Sequence, residues 1–135
     1  MVKMKAIYLG EKHCKVEHEP SQTILETDAP KDNGGRGESF SPTDLIATAL
    51  GTCILTTMAI MAERDGIDIA SAKMSIEKEM SANPRKIASL KTIIELPQNI
   101  AADYRLKLEN VGNNCPVKIS LNPDINIPIE YKYNI

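Results

Sequence analysis

The sequence predicts an α+β fold with antiparallel strands, and three observations carry that prediction. Short apolar/polar alternations occupy both ends of the chain, one long stretch is wholly uncharged, and a hairpin of long strands lies between two helical patterns. The order is strand-rich, long helix, hairpin, helix, strand, which is not the strand–helix alternation of a doubly wound sheet. At 135 residues the chain has enough surface to bury one core but hardly two, so residues 1–135 read as a single domain.

The first third reads as Lys5 to Leu9, a turn at Gly10-Glu11-Lys12, His13 to Glu17, then Gln22 to Glu26. Pro30, Asn33, Gly34, Gly35 and Gly37 make Asp28 to Ser41 a flexible, charged loop. A helix starts at Ser41-Pro42-Thr43-Asp44. Ser41 caps orphan N–H groups, Pro42 fits the first helical position, and Asp44 complements the positive end of the dipole. It runs to about Arg64, where Asp65-Gly66 stops it.

From Leu45 to Ala62, eighteen residues pass without a charge. Thr48, Gly51, Thr52, Thr56 and Thr57 make this stretch too polar for lipid, so no membrane span is expected. It reads instead as a helix buried on nearly all sides. A chain this small has difficulty surrounding such a helix, and a second subunit is the natural cover, so a dimer is expected.

Met74, Ile76 and Met80 alternate with Ser75, Glu77 and Glu79; after a turn at Asn83-Pro84-Arg85, Ala88 to Leu96 alternates in the same way. Ile100, Tyr104, Leu108 and Val111 then recur at helical spacing, with Gly112 as the stop. Asn113-Asn114-Cys115-Pro116 opens a further helical turn. Ile125, Ile127, Ile129, Tyr131 and Tyr133 share one face of a last strand, which Pro128 assigns to a sheet edge or bulge.

Composition removes several function classes. Sixteen Lys and Arg against eighteen Asp and Glu give a net charge of −2 with no basic block, which argues against nucleic acid and anionic membranes as partners. Trp is absent and Phe occurs once, so there is no base-stacking platform. No apolar leader follows Met1-Val2-Lys3-Met4-Lys5, and a cytosolic location is expected.

Three cysteines, Cys14, Cys53 and Cys115, are too few and too separated for a secreted disulfide scaffold. Cys53 lies mid-way along the uncharged helix, where a free Cys commonly packs as a small hydrophobe. Its reactivity would need a cation or hydrogen-bond donor from elsewhere in the fold. Cys115 falls at or beside an N-cap, where N–H groups and the dipole favour a thiolate; local chemistry makes it the better nucleophile. Cys14, between His13 and Lys15 in an early strand, is the least distinctive. No CxxC or HxxxH pair exists, so no metal is expected. Gly34-Gly35-Arg36-Gly37 follows no apolar strand and lacks the spacing of a phosphate loop. No Gly-x-Ser-x-Gly elbow occurs either, and the two histidines, His13 and His18, only five apart, leave a Ser/His/Asp triad little to build with.

Ser41-Pro42-Thr43-Asp44-Leu45-Ile46-Ala47-Thr48-Ala49-Leu50-Gly51-Thr52-Cys53 resembles the SP-x-[DE]-LL-x-AL-x-x-C helix of the OsmC/Ohr family. Asn114-Cys115-Pro116-Val117 resembles that family's second motif, about sixty residues on. With the glycine-rich approach Asn33 to Gly37 and the order of elements, the resemblance spans nearly the whole chain. It is closer to the general OsmC-like branch than to the branch dedicated to organic-hydroperoxide resistance.

The resemblance implies an OsmC-like fold: an intertwined homodimer, with a long central helix and a second helix packed against β-sheets and active sites at the subunit interface. It implies Cys-dependent reduction of hydroperoxides, often organic ones, without metal or other cofactor. By position Cys53 would be the peroxidatic thiolate and Cys115 the resolving thiol, reversing the ranking from local chemistry. Attack on the O–O bond would leave Cys53 as a sulfenic acid that Cys115 captures as a disulfide, and an external dithiol would regenerate the pair. Leu50, Ile54 and Met58 would line a pocket for an alkyl group.

The family site also holds an Arg–carboxylate pair. Its acidic position is Asp44 here, shorter than the usual Glu, with helix capping as its other reading. The early strands carry no arginine, only Lys3, Lys5, Lys12 and Lys15, which leaves Arg36 in the glycine-rich loop as the nearest candidate. The alternative function is a non-catalytic dimer that binds a small apolar ligand at its interface; a metal or redox sensor is a further one.

Overall fold

Alternation at the N-terminus produces three antiparallel strands in the order β1 (Met4–Gly10), β2 (His13–His18) and β3 (Thr23–Asp28). The computed structural model describes residues 1–135, which gather into two compact units, Met1–Ile46 and Ala47–Ile135. In the first unit the register pairs Tyr8 with Cys14 and His13 with Asp28. Gly10, Glu11 and Lys12 all take positive φ, the left-handed geometry of a tight hairpin turn. This sheet exposes Met4, Ile7, Tyr8, Leu9, Ile24 and Leu25, which is far more apolar surface than a free sheet usually shows to water.

The loop after β3 is tied down, contrary to the expectation of flexibility. A 3-10 turn covers Lys31–Asn33, Gly35 N–H donates to Pro30 O, Gly37 N–H donates to Ala29 O, and Lys12 Nζ donates to Gly34 O at 2.8 Å. Gly35 is required here: a Cβ would lie 1.8 Å from the Ala29 carbonyl oxygen. Gly35 thus serves close packing of backbone on backbone, and Gly34 and Gly37 take positive φ.

Helix α1 (Pro42–Arg64) begins in a reciprocal capping box. Asp44 N–H donates to Ser41 Oγ at 3.1 Å, and Ser41 N–H donates to Asp44 Oδ2 at 2.8 Å. By length and composition α1 passes as long and apolar enough to cross a membrane, an 18-residue window within it having a mean hydropathy of 2.0, but its apolar stripe lies in the core of the second unit. That stripe is Ala47, Leu50, Gly51, Ile54, Met58 and Ala62, at helical spacing. Thr52, Thr56 and Ile60 stay exposed, so the chain by itself covers one face rather than nearly all sides.

The hairpin forms as β4 (Lys73–Ser81) and β5 (Lys86–Leu96), paired antiparallel. The last strand, β6 (Ile129–Tyr133), is shorter than its alternation predicts, and it pairs with β5 in parallel. The second sheet is therefore mixed, in the order β4-β5-β6. Periodicity gives which face a residue takes but not the direction of its neighbour, which explains the difference. Pro128 precedes the edge strand β6, as expected, and its carbonyl accepts from Thr92 N–H at 2.9 Å. Leu90, Thr92, Ile94 and Leu96 form the buried face of β5.

Helix α2 (Ala102–Asn113) runs through Gly112 instead of stopping there, because Gly112 is chosen for space. It is buried, and a Cβ on it would come within 3.2 Å of three side-chain atoms. A short helix α3 (Pro116–Ser120) follows, with Cys115 at its N-cap.

Ile94, with no exposure at the centre of this core, gives a direct test. Ile94→Ala should cost about 2–5 kcal/mol in urea unfolding with an unchanged slope. A loss below about 1 kcal/mol would show that β5 is not the core strand of this unit.

Candidate active site

Two thiols from distant parts of the sequence meet in the second unit. Cys53 lies on α1, half-buried, three residues past the buried Leu50 and directly before the buried Ile54. Its Sγ lies 3.9 Å from Thr57 Oγ1, one turn along the helix. Cys115 is completely buried, and Cys53 is near enough to perturb its thiol. Both are free thiols. The pairing follows from packing: Gly112 lets α2 approach Ile54 and Met58 closely, and the chain then turns to deliver Cys115.

Two influences compete at Cys115. Burial pushes its thiol up from the ordinary value, and the neighbouring Cys53 adds to this. The backbone N–H groups of Lys118 and Val117 act in the opposite direction and lower it, the sign the N-cap position predicts, although the Cys115 side chain makes no capping hydrogen bond. Burial wins, so Cys115 sits as a neutral thiol at pH 7, and the thiolate expected from local chemistry does not form.

The remaining predicted residues have other engagements. Asp44 closes the capping box with Ser41. Arg36 belongs to the first unit, where it donates to Asp28 Oδ1 from Nη2 at 3.2 Å and from Nε at 3.4 Å. It also lies 3.5 Å from Glu11 Oε2. It is a paired charge on a buried carboxylate. Leu50, Ile54 and Met58, expected to line an alkyl pocket, have no exposure and fill the core. The concavity beside α1 lies elsewhere, a groove of about 240 Å³ bordered by Leu55, Ala59 and Ile69 with Glu63 and Asp68.

The sequence reading missed the cluster around Asp28. This carboxylate is 1% exposed and accepts from His13 Nδ1 at 2.7 Å, from Arg36 and from Glu38 N–H at 3.1 Å. Burial alone would raise its pKa, but the hydrogen bonds and charges of His13 and Arg36 outweigh it and hold the carboxyl below its usual range. A signal existed in the pairing of His13 opposite Asp28 at the sheet end, but only once strand register is known.

Residues 35–130 match the sequence model of the OsmC-like protein family. The chain belongs to the OsmC-like family. It is 30% identical to the uncharacterized protein YmaD of Bacillus subtilis, over 94% of this chain and 90% of that one. A crystal structure from Psychrobacter arcticus, described as a candidate osmotic-stress-induced and detoxification-response protein, is 37% identical. It superposes with a TM-score of 0.92, over 97% of this chain and 96% of the other. An organic hydroperoxide resistance protein OsmC from Legionella pneumophila shares the fold at 18% identity, with a TM-score of 0.78 over 98% and 96% of the two chains. The α+β OsmC-like fold read from the sequence is therefore the fold of this chain.

The depressed Asp28 carboxyl sets an acid limit on its unit. A folded-state pKa below the unfolded value, ~3.9 for Asp, contributes stability that is present above that value. It is lost as pH falls through the lower folded value. Amide exchange at Asp28 and Glu38 should accelerate across that window, and Asp28→Asn should abolish the pH dependence there. An Asp28→Asn protein with the wild-type acid profile would assign the transition to other carboxylates.

Proposed function

We propose that this OsmC-like protein is a thiol-dependent hydroperoxide reductase acting on organic hydroperoxides, with Cys53 as the peroxidatic residue and Cys115 as the resolving one. The observation that carries the reading is the meeting of these two thiols, one half-buried and one fully buried, on different elements. The Cys53 thiolate attacks the terminal peroxide oxygen, the O–O bond breaks, and the alcohol leaves after protonation. Cys53 is then a sulfenic acid. Cys115 attacks the Cys53 sulfur, the S–O bond breaks, and water leaves carrying the Cys115 proton. An external dithiol reduces the resulting disulfide by exchange. A physiological place in the response to oxidative stress follows from this chemistry.

The difference in burial suits this division. Peroxide must reach the first sulfur, whereas the second needs to reach only the first. Keeping Cys115 neutral and dry shields it from direct oxidation, since oxidant sensitivity follows thiolate character and exposure. The working unit in this reading is a homodimer in the cytosol, and the exposed apolar residues of β1 and β3 and Ile60 on the open face of α1 support the dimer. Asp44 keeps the acidic position of the motif at the start of α1.

One equivalent of an organic hydroperoxide added to the reduced protein should remove two hydrogens from its mass and yield a linked Cys53–Cys115 peptide. That peptide should be absent in Cys53→Ser. Three free thiols after exposure would overturn the peroxidase reading and leave ligand binding in its place. Because burial raises the Cys115 thiol, disulfide closure should speed up as pH rises through and beyond the ordinary cysteine range. A closure rate flat with pH would show that Cys115 ionisation does not limit the step.

A further inference from the structure

The last turn of α2 is held in a way that bears directly on the proposed cycle. Gly112 is buried and has no positive φ, so its lack of a side chain is not a backbone requirement. It is a spatial one. A Cβ there would lie 2.8 Å from Tyr131 Oη, 3.0 Å from Met58 Sδ and 3.2 Å from Ile54 Cγ2. Ile54 is the neighbour of Cys53 on α1, and Gly112 O accepts from Cys115 N–H at 3.3 Å. One residue without a side chain thus separates α1, which carries Cys53, from α2, which leads into Cys115.

Tyr131 closes this joint from the sheet. It pairs with Ile94 in the β5–β6 ladder, and its hydroxyl donates to Asn113 Oδ1 at 3.0 Å, with the Glu109 carbonyl a longer acceptor at 3.4 Å. Tyr133, two residues on, donates to Glu109 Oε1 at 2.9 Å and lies under the Arg105 guanidinium at 4.2 Å. Helix α2 is therefore fixed to β6 along its inner face, and the turn that leads into Cys115 inherits that position.

We propose that Gly112 and Tyr131 are a positioning pair that sets the approach of Cys115 to Cys53 and so governs disulfide closure, leaving peroxide attack untouched. The inference rests on the two-thiol reading above. Peroxide attack uses only Cys53 and the hydroperoxide. Closure needs a second sulfur to arrive in line with the S–O bond and to end ~2.05 Å from the first, a geometry with little tolerance. Displacing the α2–α3 corner by a few tenths of an ångström to an ångström penalises the second step alone.

Gly112→Ala places a methyl group against the Tyr131 oxygen. With an organic hydroperoxide, its Cys53 should be consumed at the wild-type rate while closure slows by about 10- to 100-fold. The Cys53 sulfenic acid should then accumulate, be captured by a cyclic 1,3-dione, and pass to sulfinic acid under excess peroxide. Tyr131→Phe in the Gly112→Ala background removes the nearest clashing atom and should recover part of the closure rate, a rescue that general destabilisation would not give. Closure at the wild-type rate in Gly112→Ala, or a folded double variant that closes no faster than Gly112→Ala, would overturn the proposal.

If Gly112→Ala does not fold, Tyr131→Phe alone decides. Losing the bond to Asn113, it should shift the sulfenic acid's partition towards dione capture, and an unchanged partition would overturn the proposal. Diamide, a thiol oxidant that needs no peroxidatic residue, separates the two readings. If wild-type Cys53 ignores hydroperoxide, the peroxidase reading fails, yet slower diamide-driven Cys53–Cys115 closure in the variants would still uphold the positioning role.

Discussion

Helix α1 has to be held without a single charge from Leu45 to Ala62, and the second unit is arranged around that requirement. With no ion pairs available along this length, position is set by shape. Leu50, Ile54 and Met58 are fully buried, and each buried side chain of this kind contributes roughly 1.5–3 kcal/mol through removal from water. That driving force has no direction of its own, so small residues have to supply the geometry. Gly51 admits the Met74 side chain, whose Cε and Sδ would lie 2.7 Å from a Cβ at that position, and Gly112 admits α2. The thiol pair is a consequence of these close approaches, since Cys53 and Cys115 each follow one of the two glycines by two or three residues.

In the first unit polar groups do the work that packing does in the second. Its sheet leaves most of its apolar residues uncovered, while the loop from Ala29 to Phe40 is drawn onto the strands by the Asp28 carboxylate together with bonds from Lys12 and Ser39. Asp28 gathers a histidine, an arginine and a backbone N–H, and its own N–H donates to Phe40 O at 3.1 Å. A buried carboxylate without such partners would protonate or move out to water. The same engagement ties Arg36 to this loop, with Nε and Nη2 directed at Asp28 and Nη1 near Glu11.

What the sequence makes legible is what depends on local chemistry. Strand alternation, the capping signals at Ser41-Pro42-Asp44, the turn glycines and the N-cap position of Cys115 all act over a few residues, and the elements other than β6 form within a residue or two of their expected places. Direction and proximity do not act locally. The parallel pairing of β6 follows from how the chain returns after α3, and Ile129 to Tyr133 would show the same alternation in either direction. Gly112 reads as a helix stop because glycine is a common one, and only the three side chains around it reveal a spacer. Asp28 and His13 look unrelated until register sets them opposite each other.

The two cysteines show the same limit in chemical terms. An N-cap lowers a thiol's pKa by offering N–H groups and the dipole, and both are visible in the run Asn114-Cys115-Pro116. Desolvation acts in the opposite direction and depends on every atom packed around the sulfur, most of them remote in sequence. At Cys115 the remote contribution is the larger, and its sign decides the character of the thiol. Ranking nucleophiles from flanking residues alone therefore selects the wrong sulfur for first attack in the proposed cycle. A sulfur that peroxide reaches must keep some exposure, which α1 gives Cys53 by holding it at the margin of its buried stripe. A sulfur that reacts only with another sulfur can be dry, and it needs only a backbone that holds it in reach.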